Sequence, residues 1–142
     1  MTSPEDCIFC KIVAGELPCT KIYEDEETLA FLDIGPIIKG HTLVIPKAHH
    51  DPITATPPGV LEKLIVVVQT IACAQMTGLR ADGVNVTQAN GRSAGQVVPH
   101  LHFHVIPRYE TDGHRWNWHT VQYTGADEMT ALASDIRAAL PA

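Results

Sequence analysis

Three histidines stand two residues apart in the last third of the chain, in the stretch HLHFHVIPR. His100, His102 and His104 alternate with Leu101 and Phe103. Alternate residues of a β-strand point to one face, so a strand here would place the three imidazoles together. Such a group could bind a metal, attack a substrate, or form a solvated polar face. Polar strand faces usually carry Thr, Lys, Glu or Arg, so this pattern favours metal binding or catalysis over a solvated polar face.

A single metal ion could not easily bind all three histidines. On an extended strand the Cα atoms of His100 and His104 would lie roughly 13 Å apart, whereas zinc ligands lie about 2 Å from the ion. Two of the three could still share one ion, as in strand-borne zinc enzymes with a His-x-His pair. The spacing alone leaves that alternative open.

A glycine-containing segment, QANGRSAGQ, runs directly into the histidines. Gly91 and Gly95, with the small Ser93 and Ala94, would let backbone N–H groups approach an anion closely, so the segment is a candidate phosphate site. Asn-Gly is also common in hairpin turns, and the signal is weak by itself. Beside imidazoles that can act as nucleophiles, it favours covalent attack on phosphorus.

Four cysteines raise a separate question. Cys7 and Cys10 form a CxxC pair, while Cys19 and Cys73 stand apart. The polar start of the chain does not resemble a signal peptide, which disfavours a secreted disulfide framework. A thioredoxin-like pair would need a preceding strand, and only six residues come before Cys7. Half of a zinc site is the favoured interpretation, ahead of two ordinary thiols and of a redox pair.

Composition and charge limit the classes of protein to consider. With 142 residues, 45% of them hydrophobic and 18% charged, we expect one domain over 1–142. Its core would span roughly 7–108, with a C-terminal extension over 109–142 that carries a helix. The net charge of −6 argues against nucleic-acid binding. The longest apolar run, at 64–68, is too short for a membrane span, so we expect a cytoplasmic protein without nucleic-acid or membrane partners.

The elements that would position these residues follow from their hydrophobic patterns. TKIYEDEETLAFLDI predicts two strands around a turn, and GHTLVIPK, GVNVTQA and the histidine segment predict three more. Helical spacing predicts two main helices, over 61–78 and 127–140, and CIFCKIVAGELP predicts a short helical turn. Strands segregated from helices favour an α+β fold with a mainly antiparallel sheet of about five strands. Val66 and Val67 widen the apolar face of the first main helix, which suggests a partner subunit on it.

The combined motifs resemble the histidine triad (HIT) superfamily. GQVVPHLHFHVIPR is similar to its His-φ-His-φ-His-φ-φ signature, and CIFCKIVAGELP and YEDEETLAFLDIGPIIKGHTLVIPKAHH occur in the family's order and spacing. The similarity is greatest to bacterial members of the Hint branch, and the part after Arg108 carries little of it. The resemblance implies the HIT fold, with a sheet that continues across a homodimer. It also implies a hydrolase or nucleotidyl transferase that acts at the α-phosphate of purine nucleotides, such as nucleoside phosphoramidates.

The resemblance further implies roles for single residues. His102 would attack the α-phosphorus and form a nucleotidyl-histidine, and His104 would contact the phosphate and help protonate the leaving group. Asp33 would accept hydrogen bonds from the ribose hydroxyls. The other implied substrate contacts, in the base pocket and around the phosphate, are Ile8, Phe9, Phe31, Ile34, Asn90, Gly95, Gln96 and Val97. His41 matches a family histidine expected to act as a structural hydrogen-bonding group.

A structural zinc ion, one per subunit, is implied by the zinc-bearing bacterial relatives. The implied ligands are Cys7, Cys10, His49 and His100, with His50 as the competitor of His49. Four protein ligands close the coordination sphere, which leaves no position for a catalytic water. A zinc-dependent hydrolase is therefore disfavoured.

Departures from the family pattern keep two other functions open. Val97 stands where relatives usually carry Ser or Thr, and Ala89 where many carry Asn, so two polar contacts are missing. One alternative is a dinucleoside polyphosphate hydrolase of the same fold. The other is a nucleotide-binding module with weak catalysis. Trp116 and Trp118 in the tail could contact the substrate or a neighbouring subunit, or simply pack.

Overall fold

The computed structural model describes residues 4–115 and 118–142, so Trp116 lies outside the described residues. The chain divides into two units, Met1–Asp112 and Gly113–Ala142, and each is described by itself. The expectation of a single domain over 1–142 stays a prediction.

In its described residues, the first unit contains one five-stranded sheet and two α-helices. The strands are β1 (Lys21–Glu24), β2 (Thr28–Leu32), β3 (Thr42–Pro46), β4 (Gly83–Gln88) and β5 (Phe103–Arg108). The helices are α1 (Ile8–Val13) and α2 (Pro58–Gly78). Neighbouring strands pair antiparallel in the order β1-β2-β3-β5-β4. The predicted α+β fold with a five-stranded antiparallel sheet is confirmed.

Strands β2 and β3 supply side chains to both faces of the sheet. Phe31 and Leu43 belong to a core with Phe9 of α1, whereas Ala30 and Val44 belong to a core with α2. Because successive side chains of a strand point to opposite faces, α1 covers one face and α2 the other. The same alternation gives β5 one face toward α1, where His104 lies opposite Leu43 in the strand register.

Helix α2 is the long helix predicted over 61–78, and it begins at Pro58, a position where the missing N–H is not needed. By length and composition it is apolar enough to cross a membrane. Leu64, Val68 and Ile71 are nevertheless at most 3% exposed, in the core against the sheet. We therefore treat α2 as a core helix.

The histidine segment departs from the predicted strand in its first half. Strand β5 begins only at Phe103, so His100 and His102 precede it. The Leu101 N–H donates to the carbonyl of His50 at 2.7 Å rather than to a neighbouring strand. That bond draws the backbone toward the loop after β3. The prediction of one strand through all three histidines was therefore wrong for this half.

The second unit contains α3 (Ala126–Ala139) in its described residues, close to the predicted range 127–140. The Glu128 carboxylate accepts hydrogen bonds from the N–H and the hydroxyl of Thr124, at 3.1 and 3.2 Å. These bonds hold the start of the helix, as a reversed capping interaction does.

Candidate active site and metal centre

A cavity of about 600 Å³ opens between α1, the end of β2 and the residues around the histidine triad. Most of its wall is apolar, with a carboxylate and two imidazoles among the polar groups. Nine of the eleven predicted catalytic and substrate-binding residues line it: Ile8, Phe9, Phe31, Asp33, Ile34, Gly95, Val97, His102 and His104. The structure does not place Asn90 or Gln96 in the wall. An apolar cavity with few converging polar groups is the usual form of a small-molecule site.

Among the described residues, one ring nitrogen of His102 has a hydrogen-bond partner and the other has none. Its Nδ1 lies 2.7 Å from the carbonyl oxygen of His100, and since a carbonyl can only accept, Nδ1 must carry the proton. The lone pair therefore stays on Nε2. Burial lowers the pKa of His102 below 6.5, which keeps the ring neutral. Phe9 contacts the ring edge-on, with centroids 5.2 Å apart, so packing also restrains the orientation of the imidazole.

His104 is held in the opposite tautomer through His41. The Ile37 N–H donates to His41 Nδ1 at 3.1 Å, so His41 carries its proton on Nε2. That Nε2 lies 2.9 Å from His104 Nδ1 and donates to it. His104 then carries its own proton on Nε2, the nitrogen left for a substrate. Burial, and next the proximity of His102, lower the pKa of His104 to about 4, so the ring is a neutral N–H donor.

His41 and His104 form a hydrogen-bonded pair next to Asp33, rather than a second metal site with it. Their potential ligand atoms lie within 4.8 Å of one another, and His41 Nε2 is 3.6 Å from Asp33 Oδ2. The Ile37 N–H occupies the lone pair of His41 Nδ1, so Nε2 keeps its proton and cannot ligate. The other carboxylate oxygen of Asp33 accepts the Gly35 N–H at 2.8 Å, which fixes the carboxylate in the cavity wall.

The glycine segment forms a loop that uses most of its polar groups internally. The Gly95 N–H donates to the Arg92 carbonyl at 3.0 Å. The Gln96 side chain accepts the Gly91 N–H at 2.7 Å and donates to Asp51 at 2.7 Å. Both groups were predicted to contact a phosphate, and that stays a prediction; in this structure they are hydrogen-bonded within the loop and to Asp51.

Asn90 and Val97 lie at the two ends of this loop. The Asn90 Oδ1 accepts the Ile53 N–H at 2.8 Å, so this side chain joins the loop to the segment before α2. Val97 is 89% exposed and lines the cavity with His102. A hydrophobic side chain therefore shares the cavity wall with the imidazoles, at a position where relatives usually carry Ser or Thr.

Two thiols and two imidazoles converge next to the triad. The sulfur atoms of Cys7 and Cys10 and the Nδ1 atoms of His49 and His100 all lie within 4.8 Å of one another. His100 Nδ1 is 3.4 and 3.6 Å from the two sulfurs, and His49 Nδ1 is 3.3 Å from Cys10 Sγ. With bonds of about 2.3 Å to sulfur and 2.0 Å to nitrogen, a tetrahedral zinc ion spaces these atoms roughly 3.5 Å apart. The donor set therefore fits zinc.

The surroundings of the cluster also suit a metal. His100 Nε2 lies 2.8 Å from the Pro46 carbonyl and donates to it, which leaves the Nδ1 lone pair for an ion. Burial raises the pKa of the Cys10 thiol to about 11, so only a cation in the cluster would hold it as thiolate at neutral pH. His50 is not part of the cluster, and its carbonyl instead accepts the Leu101 N–H.

Comparison with known proteins places this arrangement in a family. The HIT domain model matches residues 14–111, more than half of the chain. The chain belongs to the HIT family. A solved HIT family protein from Bacillus subtilis superposes with a TM-score of 0.89 at 41% identity, covering 96% of this chain and 99% of that one. The resemblance noted from the motifs is thereby confirmed.

Relatives within the HIT family include named enzymes and a zinc-bound protein. An adenosine 5'-monophosphoramidase of Candida albicans is 42% identical over 112 residues, covering 76% of this chain and 74% of that protein. An adenylylsulfatase of Arabidopsis thaliana is 44% identical over 111 residues, which are 78% of this chain and 56% of that protein. A Zn-bound histidine triad protein of Mycobacterium smegmatis has a TM-score of 0.75 at 39% identity, covering 97% of this chain and all of that one (100%).

Proposed function

We propose that this HIT protein is a nucleotide hydrolase or nucleotidyl transferase that acts at the α-phosphate of purine nucleotides. The observation that carries the proposal is the tautomer of His102, whose Nδ1 is bound to a carbonyl while Nε2 is free beside a nucleotide-sized cavity. Two named relatives act on adenylyl compounds, one on a phosphoramidate and one on a sulfate. Both reactions break a bond between an α-phosphate and a leaving group.

The proposed reaction has two displacements. His102 Nε2 attacks the α-phosphorus, forming an N–P bond, while the bond to the leaving atom breaks and that atom takes the bonding electrons. The His104 Nε2–H donates a hydrogen bond to the phosphate or leaving atom, which stabilises the charge that develops there. Water then displaces the imidazole and releases a nucleoside monophosphate. Asp33 in the cavity wall would accept hydrogen bonds from the ribose hydroxyls, and Phe9 and Phe31 would contact the base.

A covalent adduct tests this mechanism directly. The protein is mixed with an adenosine phosphoramidate, quenched in base to preserve the N–P bond, and measured by intact mass spectrometry. We expect an added adenylyl group in the wild-type protein, no adduct in His102→Ala, and monophosphate release that follows the same pattern. Turnover that persists in His102→Ala would refute the covalent route. Diadenosine polyphosphates as parallel substrates separate the polyphosphate hydrolase alternative, and nucleotide binding without turnover would leave only a binding module.

We also propose that the cysteine–histidine cluster holds a structural zinc ion. The support is the spacing of its four donors and the Pro46 carbonyl that orients His100. A bound zinc ion would join α1 to the loop after β3 and to His100, two residues before the nucleophile. Metal analysis of His49→Ala and His50→Ala tests the ligand set. Loss of zinc from the first variant alone supports it, and equal retention in both would overturn the assignment.

A homodimer across β4 is the proposed assembly. Strand β4 is an edge of the sheet that the described residues form, and Val86 on that strand is 45% exposed. A strand edge with an exposed apolar side chain is suited to pairing with a second copy. Val86→Glu is expected to yield monomers in light scattering. Ile22→Glu is the matched control, since Ile22 is 44% exposed on β1 at the opposite edge. A dimer that survives the first change and is lost with the second would contradict this interface.

A further inference from the structure

Asp51 and Gln96 form a hydrogen-bonded pair that the proposed reaction does not use. Gln96 Nε2 donates to Asp51 Oδ1 at 2.7 Å across 45 residues of sequence. The Gln96 side chain is 9% exposed. A hydrogen bond from an amide to a carboxylate is charge-assisted and stronger than one between neutral groups, so this contact joins two distant segments firmly.

The same carboxamide closes the glycine loop. Gln96 Oε1 accepts the Gly91 N–H at 2.7 Å, and Gln96 Nε2 also donates to the Val98 carbonyl at 3.0 Å. Every polar atom of this side chain therefore has a partner within the protein. The Gln96 side chain therefore joins Gly91 to Val98 and has no hydrogen-bond donor left for a substrate.

Packing contributes little to holding this loop, because residues 91–95 are exposed. A Cβ atom added to Gly91 or Gly95 would meet no atom within 4 Å, and both glycines have positive φ angles, +85° and +90°. The shape of the loop therefore depends on its hydrogen bonds. Because Gly95 and Val97 line the cavity beside His102, a change in loop shape would reach the proposed phosphate site.

We infer that Asp51 is a positioning residue that acts through Gln96 to hold the glycine loop at the α-phosphate site. The inference rests on the proposed function for the identity of that site. A carboxylate near an anion site opposes the anion by its charge, so a direct contact of Asp51 with phosphate would be unfavourable. Its Oδ1 is instead bound to the amide that fixes the loop. Misplacing the wall of a reaction site by about 1 Å can cost roughly 100-fold in rate, and we therefore assign the effect of Asp51 to turnover rather than to binding.

Exchanging the carboxylate and the amide between positions 51 and 96 tests the pair. Gln96→Glu keeps the side-chain length and an acceptor for the Gly91 N–H, but it sets a second carboxylate against Asp51. We expect kcat to fall about 10- to 100-fold, the range that corresponds to a lost buried hydrogen bond of a charged group. The affinity for AMP should change less than about threefold, because the base and ribose contacts remain. Adding Asp51→Asn should restore part of kcat, since the asparagine amide can donate to the new carboxylate while the bond to the Val98 carbonyl stays lost.

A second measurement separates this inference from the proposed function. Amide hydrogen exchange at Gly91 should become faster in Gln96→Glu and slow again in the double variant, because this N–H is bound to the Gln96 side chain. Amide hydrogen exchange can be measured without turnover. If the wild-type protein forms no nucleotidyl adduct, the proposed function is refuted, and the exchange measurement still tests the role of Asp51. Asp51→Asn alone keeps an acceptor for the Gln96 amide but loses its charge, so exchange at Gly91 should fall between that of the wild type and that of Gln96→Glu. Equal kcat and equal exchange in Gln96→Glu and the double variant would overturn the role of Asp51.

Discussion

Replacing His41 should weaken the contribution of His104 to the reaction by changing which of its ring nitrogens carries the proton, while the His104 side chain itself remains. His41 is 2% exposed and donates from Nε2 to His104 Nδ1 at 2.9 Å. His41→Leu keeps a side chain of similar size without a donor. His41→Gln is the matched variant, since its amide can accept from the Ile37 N–H and donate to His104.

The size of the effect follows from one hydrogen bond. A neutral hydrogen bond contributes about 0.5–1.5 kcal/mol net, which corresponds to a roughly 2- to 12-fold change in the ratio of the two His104 tautomers. We expect kcat/KM for an adenosine phosphoramidate to fall by that factor in His41→Leu and by less in His41→Gln. The loss should be greater for a poor amine leaving group than for a good one, since the poor one depends more on the His104 N–H.

Two observables check this reasoning. Steady-state kinetics with leaving groups of different basicity gives the rate effect, and nitrogen NMR of the imidazoles reports which nitrogen of His104 carries the proton. Equal kcat/KM in His41→Leu and His41→Gln would show that the hydrogen bond is unimportant. A wild-type His104 protonated on Nδ1 would refute the chain of hydrogen bonds from the Ile37 N–H through His41 to His104. A loss as large as that of His102→Ala would mean that His41 has a role beyond orienting His104.

Three further predictions concern stability. If the proposed zinc ion is bound, chelation should lower the unfolding temperature of the wild-type protein but hardly that of Cys7→Ser, in calorimetry of both proteins. Leu101→Ala should cost about 2–5 kcal/mol in urea unfolding, because Leu101 is 0% exposed in the core against α2; a loss below 1 kcal/mol would contradict this packing. The pKa of His104 is about 4 in the folded protein against 6.5 for the free side chain, so the unfolded chain binds that proton first. The wild type should therefore lose more stability than His104→Gln as the pH falls from about 6.5 toward 4, and parallel urea curves for the two would contradict the shift.

The elements of the fold were predictable because their signals are local. The continuous apolar runs of β2 and β3 reflect a sheet covered on both faces, and the period of α2 reflects its burial against that sheet. The two strands around Asp25 follow from a short turn, in which the carboxylate accepts the Glu27 and Thr28 N–H groups at 2.9 and 2.8 Å. Such features depend on neighbours a few residues away, and the sequence contains them directly.

The start of β5 could not be predicted in the same way. The histidine segment has an alternating pattern throughout, and its first half leaves the sheet because of one backbone bond to His50. That partner lies some fifty residues earlier in the chain. Hydropathy carries no information on which backbone carbonyl a given N–H will reach.

By itself the sequence determined the types of chemical groups and the order of the elements, and with them the HIT resemblance, the nucleophile candidate His102 and the CxxC half of a metal site. Only the tertiary structure decided the partners of those groups. It brought His49 rather than His50 to Cys10, placed His41 against His104, and turned the Gln96 side chain toward Asp51. The physical reason is that the tautomer of an imidazole and the use of an amide depend on the atoms within about 3 Å. Those atoms belong to segments that only the folded chain brings together.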